Sequence, residues 1–150
     1  MIVLELNFLE DCTEKEVSSV VHVTHVTLVA VMGGKVLYVK KRGKSTLELP
    51  SISFEKGELP AAAVRRLISE KLNASDNVVV YVSAYGRAEG SEVEYGVLYY
   101  ADISSMRTHN DPELSSSYFL DSPPEDRGKW TYPDTDIPLL NKAMEHIRKK

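Results

Sequence analysis

The sequence has 150 residues, 43% of them hydrophobic and 27% charged, which is typical of a globular protein. Its 18 Lys and Arg against 22 Asp and Glu give a net charge of −4, so a nucleic-acid polymer is not an expected partner. No apolar run reaches the roughly 18 residues of a membrane span, and the single cysteine, Cys12, excludes an intrachain disulfide framework. We expect a single cytoplasmic domain, residues 1–150, without membrane association.

Residues 2–41 predict three strands, two of them joined in a hairpin. Residues 2–9 alternate loosely between apolar and polar side chains and predict an edge strand, whereas the polar stretch 10–19 predicts a loop or a short helix. Residues 20–32 are rich in β-branched side chains and predict a long strand. Gly33 and Gly34 provide the tight turn of a hairpin, and residues 35–41 return as its second strand.

The remaining residues predict two helices separated by strands. Residues 47–49 predict a short strand, and residues 61–72 favour a helix that is entered through Pro60 and capped by Asn73. Residues 77–85 and 94–103 predict strands around a turn-rich connection at 86–93. A polar loop at 104–117, a short strand at 118–120 and a terminal helix at 136–150 follow. This order favours an α+β fold, an α/β/α sandwich, over repeated β-α-β units.

The helix at residues 61–72 has two distinct faces. At roughly 100° per residue, Val64, Ile68 and Leu72 fall on one side and form the expected core stripe. The side chains expected to converge on the adjoining face are Leu67, Glu70 and Lys71. Arg66 lies four positions before Glu70 and is expected to pair with it. Periodicity alone favours a simpler interpretation, an amphipathic helix with a solvated flank.

The segment LPSISFEKGELPAAAVRRLISEKLN, residues 49–73, resembles the Nudix box, the loop and helix that hold magnesium in the Nudix hydrolases. The box pattern is Gly, five residues, Glu, seven residues, Arg-Glu, an apolar residue, any residue, Glu-Glu, any residue and Gly. The positions that match it are Glu58, Arg66, Ile68 and Glu70, and those that depart from it are Ile52, Leu67, Lys71 and Asn73. Three other segments are also similar to this family: the hairpin that precedes the box, the strand at residues 95–103, and WTYP at residues 130–133.

The resemblance implies a Nudix-type α/β/α sandwich with a mixed central sheet. It also implies a relative of hydrolases that cleave nucleoside diphosphates linked to another moiety, with a nucleotide or diphosphate compound as the partner. In that family pattern, Glu58, Arg66 and Glu70 are the catalytic residues. Mg²⁺ or Mn²⁺ is expected to bind Glu58 and Glu70 with help from Glu55, because these ions prefer carboxylate oxygens.

Two departures from the box change the chemistry that the resemblance implies. Leu67 supplies no ligand, and Lys71 places an ammonium where the family holds a cation, so hydrolysis is expected to be impaired or lost. Arg42 and Lys71 are expected to bind ligand phosphates directly, and Glu92 or Glu94 is an alternative metal ligand or base. The alternatives left open are a weak hydrolase, a nucleotide-binding or sensing module without a cofactor, and a dimerisation domain, with a homodimer compatible with all three.

Overall fold

A computed structural model describes residues 4–108 and 111–149 of the chain. The strands in this part of the chain are β1 (Leu4–Leu9), β2 (Val23–Met32), β3 (Lys35–Lys41), β4 (Ser51–Ser53), β5 (Ala74–Glu89), β6 (Glu92–Met106) and β7 (Leu114–Leu120). The helices are α1 (Val17–Val20), α2 (Pro60–Arg66) and α3 (Pro133–Arg148), with a π-helical turn at Leu67–Lys71 and a 3₁₀ turn at Arg127–Lys129. None of the helices in the described ranges is long and apolar enough to cross a membrane.

The strands form one mixed sheet in the order β1-β5-β6-β2-β3-β7, with the short strand β4 paired to β2. Strands β2 and β6 run parallel, and the other pairings are antiparallel. The parallel pair lies at the centre of the sheet, where both faces are covered and strands are rich in apolar residues. The predicted mixed sheet is therefore confirmed.

Helical segments cover the two faces of this sheet. Val64, Ile68 and Leu72 are almost completely buried and belong to the hydrophobic cluster on one face, which confirms the predicted core stripe. Leu139 and Ala143 of α3 are buried in a separate cluster on the opposite face. Because a sheet with two apolar faces needs a layer on each side, these helices complete the predicted α/β/α sandwich.

The hairpin of β2 and β3 is the local prediction that the structure confirms most closely. Met32 pairs with Lys35 across a turn in which Gly33 and Gly34 have φ of 59° and 80°. Two successive residues with positive φ suit the right-handed twist of the flanking strands, which explains the glycine pair. Strand β2 begins at Val23 and not at residue 20, because residues 17–20 form the short helix α1.

The long hairpin of β5 and β6 corrects the prediction of a charged loop at residues 86–93. Both strands continue through this stretch, and the chain reverses only at Gly90, whose φ is 64°. Arg87 pairs with Glu94, and Glu89 pairs with Glu92. Glu89 and Glu92, which the sequence placed in a loop, therefore lie on β5 and β6. Strand β7 also begins four residues before the predicted 118–120, and α3 begins at Pro133 instead of residue 136.

The second half of the box helix departs from α-helical geometry. The N–H of Leu72 donates to the carbonyl of Leu67 at 3.0 Å, a bond that spans five residues and widens the turn. Leu67 is completely buried, Glu70 is exposed, and Lys71 lies between these extremes. The predicted convergence of these three side chains on one face is therefore wrong, because it assumed a constant 100° step. Asn73 ends the segment with φ of 55°, the conformation expected of a cap.

Candidate functional site

A cleft of about 600 Å³ opens between β2, β4, the π-helical turn and the start of α3. Its lining includes four basic and four acidic side chains. The basic ones are Lys41, Arg66, Lys71 and Arg87, and the acidic ones are Glu48, Glu94, Glu113 and Asp136. Of the residues predicted for the site, Arg66, Lys71 and the alternative candidate Glu94 line this cleft.

Arg66 is held by Glu58 and not by its predicted partner Glu70. Its Nε donates to Glu58 Oε2 at 2.9 Å and its Nη2 donates to Glu58 Oε1 at 2.8 Å, so both carboxylate oxygens are engaged. Nη2 also donates to the Ser53 carbonyl at 2.7 Å. This bidentate bond lowers the pKa of Glu58 and joins the box loop to the box helix. Glu58 and Arg66 therefore stabilise the position of the loop and helix next to the cleft.

The carboxylates predicted to bind a metal, those of Glu55, Glu58 and Glu70, do not line the cleft. Both oxygens of Glu58 accept hydrogen bonds from Arg66, the Glu55 side chain is 70% exposed with Oε1 3.8 Å from Arg66 Nη1, and Glu70 is exposed and lies outside the cleft. Among the described residues, no three His, Cys, Asp or Glu side chains form a group that could hold a metal ion. Because magnesium requires several well-placed oxygen ligands, this donor set does not fit it.

Lys71 extends into the cleft on the side of β4. Its side chain is only 10% exposed, and Nζ donates to the Ser51 carbonyl at 3.2 Å. The nearest carboxylate is that of Glu113, whose Oε2 lies 3.6 Å away on a side chain that is 67% exposed. A long contact to a solvated carboxylate neutralises an ammonium weakly. Lys71 thus places a largely buried ammonium in the cleft.

Arg42 lies away from the cleft, contrary to its predicted role beside Lys71. Its Nε donates to the Pro112 carbonyl at 2.7 Å, and its backbone N–H donates to the Glu113 carbonyl at 2.9 Å. The side chain faces a different surface depression that includes Thr108 and Asp111. These bonds tie the end of β3 to the segment before β7, which gives Arg42 a structural position.

His25 also lines the cleft and was not predicted as a site residue. Its Nδ1 lies 3.2 Å from Glu94 Oε1, and its Nε2 lies 2.8 Å from the buried Tyr85 hydroxyl. The Tyr85 hydroxyl also contacts Thr27 Oγ1 at 2.9 Å. A Cβ at Gly96 would lie 2.6 Å from both His25 Nε2 and the Tyr85 hydroxyl, so this pair requires a glycine on β6.

The electrostatic setting of His25 follows from this burial. The pKa of His25 is lowered, chiefly because burial disfavours the charged form, while the nearby Glu94 carboxylate acts in the opposite direction. Glu94, which the sequence offered as a replacement metal ligand, is thus a neighbour of histidine at the cleft mouth. Glu92, the other candidate, is exposed and does not line the cleft.

Two buried carboxyl groups, also missed by the sequence, line the cleft. Glu48 is 2% exposed, with Oε1 3.1 Å from Lys41 Nζ. Asp136 is 5% exposed and accepts a hydrogen bond from the Leu49 N–H at 3.0 Å. Burial raises the pKa of Asp136 to about 7. Neither residue belongs to the box. The sequence offers only weak signals for them, since Glu48 lies between two leucines and Asp136 lies near the start of a helix.

Comparison with solved structures places this cleft in a known fold. The structure is similar to a mutant of the Bacillus subtilis pyrophosphohydrolase BsRppH, with TM-score 0.75, 22% identity, and coverage of 93% of this chain and 90% of that one. It is also similar to a MutT Nudix hydrolase from Burkholderia pseudomallei, with TM-score 0.63, 17% identity, and coverage of 79% and 95%. The chain has the Nudix fold. No protein-family model and no curated protein matches the sequence.

A third Nudix-fold structure contains a ligand. The Nudix domain of Shewanella oneidensis NrtR, in complex with ADP ribose, matches with TM-score 0.63, 16% identity, and coverage of 85% of this chain and 89% of that one. Within the Nudix fold of the present chain, Glu58 and Arg66 keep the box loop and helix together. Leu67 adds to the core and Lys71 adds a cation to the cleft.

Proposed function

We propose that this Nudix-fold protein binds a nucleoside diphosphate or a related diphosphate compound in the cleft and has lost metal-dependent hydrolysis. The observation that carries the proposal is the position of Lys71, a 10% exposed side chain with its ammonium in the cleft and only a long contact to a carboxylate. Such an ammonium forms charge-assisted hydrogen bonds with phosphate oxygens. It occupies the part of the box helix that would otherwise supply a carboxylate for a metal.

The loss of hydrolysis follows from the carboxylates of the box. Glu58 gives both oxygens to Arg66, and Leu67 is a core residue without exposed surface. Glu70 is turned to solvent by the widened turn. With no convergent set of acidic ligands among the described residues, a divalent ion has little to bind, and the repulsion from Lys71 adds to this deficit.

The choice of ligand class rests on the cleft and on one Nudix-fold relative. A volume of about 600 Å³ is within the range of small-molecule sites. The NrtR Nudix domain holds ADP ribose in its structure, so a Nudix fold of this size accommodates a nucleotide diphosphate. We propose the same class of ligand here, bound by one cytoplasmic domain of this chain.

Ligand-dependent thermal stability tests the proposal. ADP and ADP ribose should each raise the melting temperature without metal, since a ligand of the native state stabilises it, and Mg²⁺ should not increase the shift. Lys71→Met should weaken binding about tenfold or more, because a hydrogen bond to a charged group contributes roughly 1.5–3 kcal/mol. Lys56→Met is the matched control, since Lys56 is exposed in the box loop and does not line the cleft.

Three results would argue against the proposal. A shift that appears only with Mg²⁺, or cleavage of ADP ribose to AMP and ribose 5-phosphate when Mg²⁺ is added, would indicate a surviving metal-dependent hydrolase. Equal binding by the Lys71→Met and wild-type proteins would remove Lys71 from the site. Absence of binding by any diphosphate would favour the alternative of a dimerisation domain, which analytical ultracentrifugation would then examine.

A further inference from the structure

We infer that Glu94 and Arg87 recognise the base of the ligand and that this base is guanine. The inference rests on the proposed binding of a diphosphate compound at Lys71 and specifies which nucleotide the cleft prefers. Both Glu94 and Arg87 line the same cleft as Lys71.

Glu94 and Arg87 are direct neighbours across the hairpin of β5 and β6. They face each other in the register of the two strands. Side chains in such cross-strand pairs have Cβ atoms about 4.5–5.5 Å apart, so opposite charges there can form an ion pair. In the described part of the chain, however, the ion pair of Arg87 is with Glu89, and that of Glu94 is with His25. An acceptor and a donor thus stand side by side without binding each other.

Glu94 is an accessible acceptor. Its side chain is 55% exposed, and its Oε1 lies 3.2 Å from His25 Nδ1. Burial lowers the pKa of His25, so a neutral imidazole contacts the carboxylate at pH 7 and does not cancel its charge. An ionised carboxylate has about four acceptor positions, and one contact with His25 leaves the others for a ligand.

Arg87 is a donor with capacity to spare. Its Nε donates to Thr135 Oγ1 at 3.1 Å, and its Nη2 lies 3.7 Å from Oε2 of the half-exposed Glu89 side chain. A guanidinium has five N–H donors, so these contacts leave several for a ligand. Arg87 and Glu94 also line a second depression of about 510 Å³, which shares Thr24 with the cleft. The space beside both side chains is therefore open to a ligand.

The Watson–Crick edge of guanine is complementary to this pair. It presents the O6 acceptor next to two adjacent donors, N1–H and the exocyclic amino group. A carboxylate accepts both donors through its two oxygens, and a guanidinium donates to O6. Adenine and cytosine place a ring acceptor beside their amino group, so they offer a carboxylate only one donor. Hypoxanthine has O6 and N1–H but no amino group.

The base site and Lys71 lie within the span of one nucleotide. Lys71 Nζ donates to the Ser51 carbonyl, and Ser51 pairs with Thr27 of β2. Thr27 pairs in turn with Leu98 of β6, which is four residues beyond Glu94. Two strand spacings and four residues along a strand amount to about 16 Å between the backbones at Ser51 and Glu94. Because Lys71 and Glu94 line the same cleft, one nucleoside diphosphate can place its phosphates at Lys71 and its base at Glu94.

Isothermal titration calorimetry without metal tests the inference with GDP, IDP and ADP, which carry the same phosphates on different bases. The wild-type protein should bind GDP about tenfold more tightly than IDP, because the amino group adds one hydrogen bond to a charged group. ADP should bind no more tightly than IDP. Glu94→Gln replaces one acceptor oxygen by an N–H donor, so the ratio of GDP to IDP affinity should fall to about one. Glu92→Gln removes the same charge from an exposed position of β6 that lines only the second depression, and it should keep the wild-type ratio.

The ratio of the GDP and IDP affinities is the deciding quantity, because a general loss of binding would weaken both nucleotides equally. If the wild-type and Glu94→Gln proteins have the same ratio, Glu94 does not recognise the base and the inference fails, although Lys71-dependent binding of all three nucleotides still supports the proposed function. If none of them binds the wild-type protein, both fail. Should Glu94→Gln not fold, as judged by circular dichroism, Arg87→Gln takes its place. It must weaken GDP and IDP by the same factor, because both carry O6, and equal weakening of ADP would overturn the inference.

Discussion

The buried carboxyl of Asp136 should make the stability of this protein decrease as the pH rises towards neutrality. Burial raises its pKa in the folded protein from the ordinary value of 3.8 to about 7. Between these values the folded state holds a proton that the unfolded state has released. The free energy of unfolding therefore falls with rising pH, because stability changes in proportion to the difference in bound protons. Neutral pH is thus unfavourable for this group.

The size of the effect follows from the two pKa values. The difference between 3.8 and about 7 corresponds to a loss of about 4 kcal/mol once the pH exceeds both values. About 2 kcal/mol of this loss should occur between pH 5 and pH 7, where the unfolded carboxyl is ionised and the folded one still holds most of its proton. Asp136 is 5% exposed, so solvent screening reduces the effect little. Small domains are stable by only about 5–15 kcal/mol, so the change is easily measured.

Urea unfolding at several pH values between 5 and 8.5 measures this dependence. The Asp136→Asn protein lacks the ionisation, so the stability difference between it and the wild type should shift by about 2 kcal/mol from pH 5 to pH 7 in favour of asparagine. Asp134→Asn provides the control, because Asp134 is exposed and should reproduce the wild-type profile. If the wild-type and Asp136→Asn profiles run parallel, Asp136 is ionised at an ordinary pH and the proposed desolvation is incorrect.

Two further substitutions test the packing around the cleft, both by urea unfolding. Leu67→Ala should lower the free energy of unfolding by about 2–5 kcal/mol, as expected for a buried leucine. Glu70→Ala, at an exposed position of the same turn, should change it by less than about 0.5 kcal/mol. Similarly small losses from both substitutions would place Leu67 at the surface. Gly96→Ala should cost about 1–3 kcal/mol, because its methyl group would lie 2.6 Å from His25 Nε2 and the Tyr85 hydroxyl, and an unchanged stability would contradict that close packing.

The sequence predicted those features that depend on neighbours along the chain. The Gly33-Gly34 hairpin follows from the backbone freedom of glycine, and the stripe of Val64, Ile68 and Leu72 follows from helical spacing. The sandwich architecture followed from the order of the elements. Each of these signals lies within a short window, where local geometry determines the outcome.

The site was predicted less well because its contacts join distant segments. Arg66 forms its hydrogen bonds with Glu58, eight positions earlier, and not with Glu70, four positions later. Helical periodicity pointed to Glu70, because it describes only neighbours on the same helix. Asp136 meets the backbone of Leu49 across 87 positions. The resemblance also directed attention to the box, whereas the buried cleft residues Glu48 and Asp136 lie outside that motif. Asp136 is unusual because it is buried in the tertiary structure, and burial of a polar residue cannot be read from the residues around it in the sequence.

The widened turn at Leu67–Lys71 bears on whether the proposed loss of hydrolysis could be reversed by substitution. Along this turn Leu67 is buried, Glu70 is exposed and Lys71 lines the cleft. Lys71→Glu alone would therefore add an acid beside Glu113 without gathering any other ligand around it. A carboxylate at position 67 would replace an apolar side chain in the core and would carry a desolvation cost. We therefore expect that glutamates introduced at positions 67 and 71 do not by themselves create a metal site.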